Sequence, residues 1–151
     1  MANKRYMLIS INKPHTDDIF TGIKSLEWRK KPLLEGVYYV YETKNKGGCG
    51  MVIGEMRITG SLAVDTSGPM EVCLVNSGCV HPATLKKYAN NGVVYANFIQ
   101  DIRRYDVPKP LSEFRSYNCS VYWEDGYPMP THEIKRPPQS WCYVEELKDG
   151  K

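Results

Sequence analysis

The chain has 151 residues, enough for one domain that buries roughly two-thirds of its unfolded surface, and its 42% hydrophobic and 25% charged content excludes wholesale disorder and fibrous repeats. No run reaches the roughly 18 apolar residues of a membrane span, and residues 1 to 5 lack the apolar stretch of a signal peptide, so a single cytoplasmic domain over residues 1 to 151 with no membrane partner is expected. A formal net charge of +3 is too small to argue for nucleic acid by itself.

Residues 5 to 11 read Arg-Tyr-Met-Leu-Ile-Ser-Ile, the apolar run of a buried strand. Pro14 fits the first position of a helix over residues 15 to 21, with Asp17 and Asp18 in its first turns and Gly22 as its stop. Residues 25 to 29, Ser-Leu-Glu-Trp-Arg, alternate, which sends Leu26 and Trp28 to one face of a strand and Ser25, Glu27 and Arg29 to the other. Residues 37 to 41 predict a central strand, 44 to 50 a glycine-rich loop and 51 to 59 another strand. Short helices are expected over 70 to 75 and 82 to 88, the second ended by Gly92. Residues 93 to 105 read as a long bent strand closed by Pro108 and Pro110, and 141 to 147 as the last strand. Between them, residues 117 to 140 hold four prolines and little periodicity, an irregular excursion suited to a lid or a binding loop.

These elements predict an α+β domain around a small, strongly curved sheet or barrel with a few short peripheral helices; a doubly wound parallel sheet does not fit. Basic residues are concentrated early: nine basic and five acidic side chains lie in residues 1 to 46, against eleven and twelve in the rest. Cys49, Cys73, Cys79, Cys119 and Cys142 are odd in number and irregularly spaced, which favours reduced thiols over a disulfide framework.

The densest polar cluster is Gly22-Ile23-Lys24-Ser25-Leu26-Glu27-Trp28-Arg29, where a helix stop delivers the chain into a strand with two cations around one anion. Lys24 in the turn can swing its ammonium to the face carrying Glu27 and Arg29, making an anion-binding cleft with a built-in acceptor. The same pattern on an open surface would be a salt-bridge ladder. Other motifs carry less. The Cys73-x5-Cys79-x-His81 spacing matches no common zinc site, so no metal and no cofactor is expected. Lys46-Gly47-Gly48-Cys49-Gly50 lacks the ending of a phosphate-binding loop, and His15, His81 and His132 read as cap, surface or loop histidines.

Gly22, Lys24, Glu27 and Arg29 reproduce the Gly-x-Lys-x-x-Glu-x-Arg signature of ASCH domains, which are PUA-like β-barrels. The Leu8-Ile9-Ser10-Ile11-Asn12-Lys13-Pro14 opening resembles the strand-then-helix start of that family. Residues 95 to 114, with Arg104-Tyr105-Asp106 and Leu111-Ser112-Glu113-Phe114, and the Pro138-Gln139-Ser140-Trp141 ending are similar to its small bacterial and phage members. The resemblance implies a cleft that recognises RNA or a modified nucleoside. There Lys24 and Arg29 would meet phosphate or a base acceptor, Glu27 a base amino group, Lys13 would stand at the entrance, Gly22 would shape the turn, and Tyr95 or Trp141 would stack on a base. One branch of the family resembles an amidohydrolase acting on an N4-acylated cytidine through a Lys, a hydroxyl residue three positions later and a more distant Glu. Here Glu27 stands at that position, so a catalytic version would use Lys24 with Glu27 as general base toward water. A protein-interaction module built on residues 117 to 140 is the non-catalytic alternative.

Overall fold

In the computed structural model, which describes residues 5 to 117 and 131 to 147, β1 (Tyr6–Ile11) lies parallel to β3 (Gly36–Glu42) at the centre of a mixed six-stranded sheet. Both strands are buried on both faces, as their unbroken apolar runs require. Met7, Ile9, Tyr38 and Val40 enter one core, with Met56, Ile58 and Ile99, while Leu8, Tyr39 and Tyr41 enter a second on the opposite face with Val52, Tyr105, Phe114 and Val144. The connection between β1 and β3 carries α1 (His15–Phe20) and β2 (Leu26–Arg29). Ile19 and Phe20 of α1 pack onto the first core.

β3 continues antiparallel into β4 (Met51–Asp65), which pairs with β5 (Val93–Lys109). These two strands run further than expected, to Asp65 and through Pro108 to Lys109, because each supplies the other with a partner along almost its whole length. Three register shifts interrupt that pairing, and Asp101 sits at a φ of 51° between them. Bulges of this kind bend and twist a strand pair, so one hairpin serves both sides of the fold. The strand order is β2-β5-β4-β3-β1-β8, with β8 covering only Trp141–Tyr143 rather than residues 141 to 147. β6 (Arg115–Tyr117) and β7 (Thr131–Glu133) form a separate two-stranded sheet.

The class is therefore α+β around a mixed six-stranded sheet, but the expected PUA-like barrel does not close. β2 and β8 remain edges. β2 has only four residues, and what faces β1 across the opening is the Arg29 guanidinium, one N–H of which donates to the Ser10 carbonyl at 3.1 Å. A charged side chain, not a backbone ladder, links β2 to β1. α2 (Val72–Gly78), three residues later than expected at its C-terminal end, and α3 (Pro82–Tyr88) cover the other face of β2. Leu26, Trp28, Leu85, Val94 and Ala96 form a third core there, with Leu74 and Val80 against it. No helix among the described residues is long and apolar enough to cross a membrane.

Candidate functional site

The opening between β2 and the end of β1 is a cavity of about 600 Å³. Trp28, Val80, Leu85 and Tyr88 give it an apolar wall, and Ser10, His15, Lys24, Glu27 and Arg29 give it a polar one. Pro137, Pro138 and Gln139, the described end of the proline-rich excursion, complete its rim. Residues 118 to 130 of that excursion lie outside the described residues.

Lys24 reaches the cavity through the turn after α1. Gly22 has a φ of 85°, a left-handed conformation that glycine adopts without steric cost, and the Lys24 N–H then donates back to the Asp18 carbonyl at 2.9 Å. The next amide, Ser25, donates to the Ser77 carbonyl at 2.9 Å and locks the start of β2 to the end of α2. The Lys24 side chain is 1% exposed. Its ammonium donates to the Gly78 carbonyl, at the end of α2 where the helix dipole favours a cation. Burial lowers its pKa from the ordinary lysine value, and the Glu27 carboxylate opposes that shift.

Glu27 divides its two oxygens. Oε2 accepts from Arg29 Nε at 3.1 Å and from Nη2 at 2.9 Å, whereas Oε1 faces the Lys24 ammonium at 3.8 Å, beyond hydrogen-bond reach. Among the described residues Oε1 accepts no hydrogen bond. Arg29 is fixed further by the Ser10 carbonyl and by Ser140 Oγ at 3.4 Å. Two half-neutralised cations around one carboxylate leave a single net positive charge.

Beneath them Asn97 holds β2 in place. Its Nδ2 donates to the Glu27 carbonyl at 3.0 Å, and its Oδ1 accepts from the Leu33 N–H at 2.8 Å and from the Ser61 hydroxyl. This buried residue on β5 was not singled out in the sequence, where an Asn inside a β-branched run gives no sign of which strand it will bind. Gly78 is a second such residue. A Cβ there would fall 2.0 Å from Trp28 Nε1, so only glycine lets α2 approach closely enough to present its carbonyl to Lys24.

Other residues named from the sequence lie elsewhere. Lys13 pairs with Asp17 at 3.4 Å beside the cavity-lining Asn12 and is not itself part of the wall. Gly22 shapes the turn and does not border the cavity. Tyr95 stands opposite Arg29 on β5, half-buried and outside the lining. Trp141 packs edge-on against Tyr38 and Tyr143, with ring centroids 6.4 and 5.1 Å away, and serves the first core. Tyr88 is the exposed aromatic at the cavity, with the Lys30 ammonium 4.9 Å over its ring. His81 caps α3, its Nδ1 accepting from the Ala83 N–H at 3.1 Å. Among the described residues no group of three or more His, Cys, Asp or Glu side chains is placed to hold a metal ion. His15, read as a cap or surface residue, instead lines the cavity.

No family model and no curated protein sequence matches the chain. Solved structures do. The crystal structure of ASCH from Zymomonas mobilis superposes with a TM-score of 0.66 at 15% identity, covering 97% of this chain and 92% of that one. Two single-residue variants of the same protein match equally well, with TM-scores of 0.66 and 0.65 at 15% and 14% identity, covering 99% and 97% of this chain and 94% of each of those. The chain therefore has the ASCH fold over nearly its full length.

Proposed function

We propose that the chain binds single-stranded RNA by taking one unstacked base, or the equivalent modified nucleoside, into the cavity between β1 and β2. The observation that carries this reading is the convergence of Lys24, Glu27 and Arg29 on a cavity of about 600 Å³ with an apolar wall. Such a wall supports the faces of a base, and Tyr88 at the mouth offers a ring for a neighbouring base. Glu27 Oε1, which accepts no hydrogen bond among the described residues, is an acceptor for an exocyclic amino group. Arg29 and Lys24 supply donors from the same wall. Because their charge is already half-compensated, the site favours a polar edge over a bare phosphate. The fold supports the reading, since the resemblance to ASCH domains implies a cleft that recognises RNA or a modified nucleoside.

Titration of a labelled single-stranded oligoribonucleotide tests it. Binding is expected to weaken at least tenfold in Arg29→Ala and to be displaced by free nucleoside; an Arg29→Ala protein that binds like the parent removes the proposed site.

The burial of Lys24 beside a carboxylate favours a second reading, hydrolysis of an N4-acylated cytidine, with Glu27 accepting a proton from water as it attacks the acyl carbon. Acetate release from N4-acetylcytidine, lost in Glu27→Gln, would support it; an absence of turnover leaves the cavity a binding site.

A further inference from the structure

His15 opens α1 and forms part of the same wall as Lys24, Glu27 and Arg29. Its ring makes no hydrogen bond among the described residues, and Nδ1 is shut away from solvent without a partner. An unsatisfied buried polar atom destabilises the fold, so a histidine that did nothing here would be better replaced by an apolar residue. The other orphan, Trp28 Nε1, is different: it is jammed against Gly78, which leaves no room for a guest.

We infer that His15 is a specificity-determining residue of the cavity, donating a hydrogen bond from Nε2 to an acceptor on the bound base. Nδ1 is closed off, so Nε2 is the nitrogen within a guest's reach. Burial lowers the imidazole pKa, and the Lys24 ammonium lowers it further, which keeps the ring neutral at pH 7. Glu27 and Asp18 oppose this from their side, and Lys46 adds to it. A neutral imidazole carries one proton. Orphaned acceptors are tolerated in protein interiors better than orphaned N–H groups, which places that proton on Nε2 and leaves Nδ1 as the unpaired acceptor. The cavity then offers a donor at His15 and an acceptor at Glu27 Oε1. The guest that satisfies both carries an amino group and a carbonyl or ring nitrogen on one base edge, and uracil, which has no amino group, is disfavoured. The inference rests on the base-binding reading above.

Labelled oligo(rA), oligo(rC) and oligo(rU) should be titrated against the parent protein, Arg29→Ala, and the series His15→Gln, His15→Asn and His15→Leu, with thermal midpoints recorded for each. Glutamine places an amide nitrogen near the position of Nε2, and asparagine near that of Nδ1. The expected result is binding by His15→Gln within about threefold of the parent, and losses of about tenfold on the preferred probe in His15→Asn and His15→Leu, at unchanged or raised thermal midpoints. If His15→Leu binds every probe within threefold of the parent while Arg29→Ala does not, the role of His15 falls and the cavity stands. If the parent binds none of the probes, the base-binding reading falls and this inference with it.

Discussion

Arg29 sends two N–H groups, from Nε and Nη2, to one oxygen of Glu27 and leaves the other, Oε1, facing Lys24 across 3.8 Å. The arrangement pairs Arg29 while keeping one carboxylate oxygen without a hydrogen bond among the described residues. It also makes Glu27 the only anion in close contact with two largely buried cations among the described residues.

Glu27→Gln is therefore expected to be costly to the fold as well as to binding. The substitution keeps the shape but leaves the Lys24 and Arg29 charges without a counter-charge, and removing one partner of a buried ion pair destabilises by about 3 kcal/mol or more. Urea unfolding at pH 7 checks this; a midpoint unchanged from the parent would mean that solvent already screens the two cations.

Gly78→Ala tests how the cavity floor is positioned. The added Cβ falls 2.0 Å from Trp28 Nε1 and 2.7 Å from Leu26 Cδ1, so α2 must withdraw or Trp28 must turn. Overpacking of this kind costs about 1–3 kcal/mol. Withdrawal of α2 also takes the Gly78 carbonyl from Lys24, so thermal stability and ligand affinity are expected to fall together. A drop in melting temperature with affinity intact would show that Lys24 does not depend on that carbonyl.

How much of this was legible in the sequence follows from how local each signal is. The alternation of Leu26 and Trp28 with Glu27 and Arg29 is written within four residues and separates the helix-packed face of β2 from its charged one. The Gly22 turn that aims Lys24 is equally local. Barrel closure is not local, because it depends on how the edges β2 and β8 meet, and nothing near residue 29 encodes that its side chain will reach the Ser10 carbonyl instead. The extension of β4 past residue 59 depends in the same way on β5 being there to pair with it. Asn97, Gly78 and His15 take their roles from partners between 9 and 70 positions away in the chain, so no local pattern marks them.

Asn97 links three segments, so Asn97→Leu is expected to destabilise through the groups it abandons. The Leu33 N–H and the Glu27 carbonyl lose their buried partner, each at about 1–3 kcal/mol, against a modest gain from a larger apolar side chain. A net loss of about 2–4 kcal/mol is expected from chemical unfolding, with weakened ligand binding because Glu27 is no longer held from behind.

Glu42 gives an acid limb to the stability curve. It is buried at the end of β3, accepting from the Thr16 hydroxyl at 2.6 Å and from the Cys49 N–H at 3.0 Å. Burial alone would raise its pKa, but these hydrogen bonds outweigh it and hold the carboxyl below its ordinary value. A depressed folded pKa means the contribution is fully present above the unfolded pKa of about 4.3 and is lost as pH falls through the folded value. The stability gap between the parent and Glu42→Gln should therefore narrow on acidification below about pH 4.3; a gap constant down to pH 2 would show that the carboxylate form contributes nothing special.

Lys24 carries the opposite expectation, that a residue central to the site works against the fold. Its pKa is lowered by burial, so between the folded value and about 10.4 the unfolded chain binds the extra proton, and stability rises with pH across that window. The protonated side chain carries the desolvation cost of a buried charge. Lys24→Met keeps the length and removes the charge, at the expense of the hydrogen bond to the Gly78 carbonyl. Replacing a buried charge by a well-packed apolar residue is commonly neutral or stabilising by about 1–4 kcal/mol. The variant is thus expected to match or exceed the parent in urea midpoint at pH 7 while binding RNA at least tenfold more weakly, and the parent should gain on it as pH rises toward 10. A variant that is both strongly destabilised at pH 7 and parallel to the parent at every pH would assign Lys24 to the scaffold.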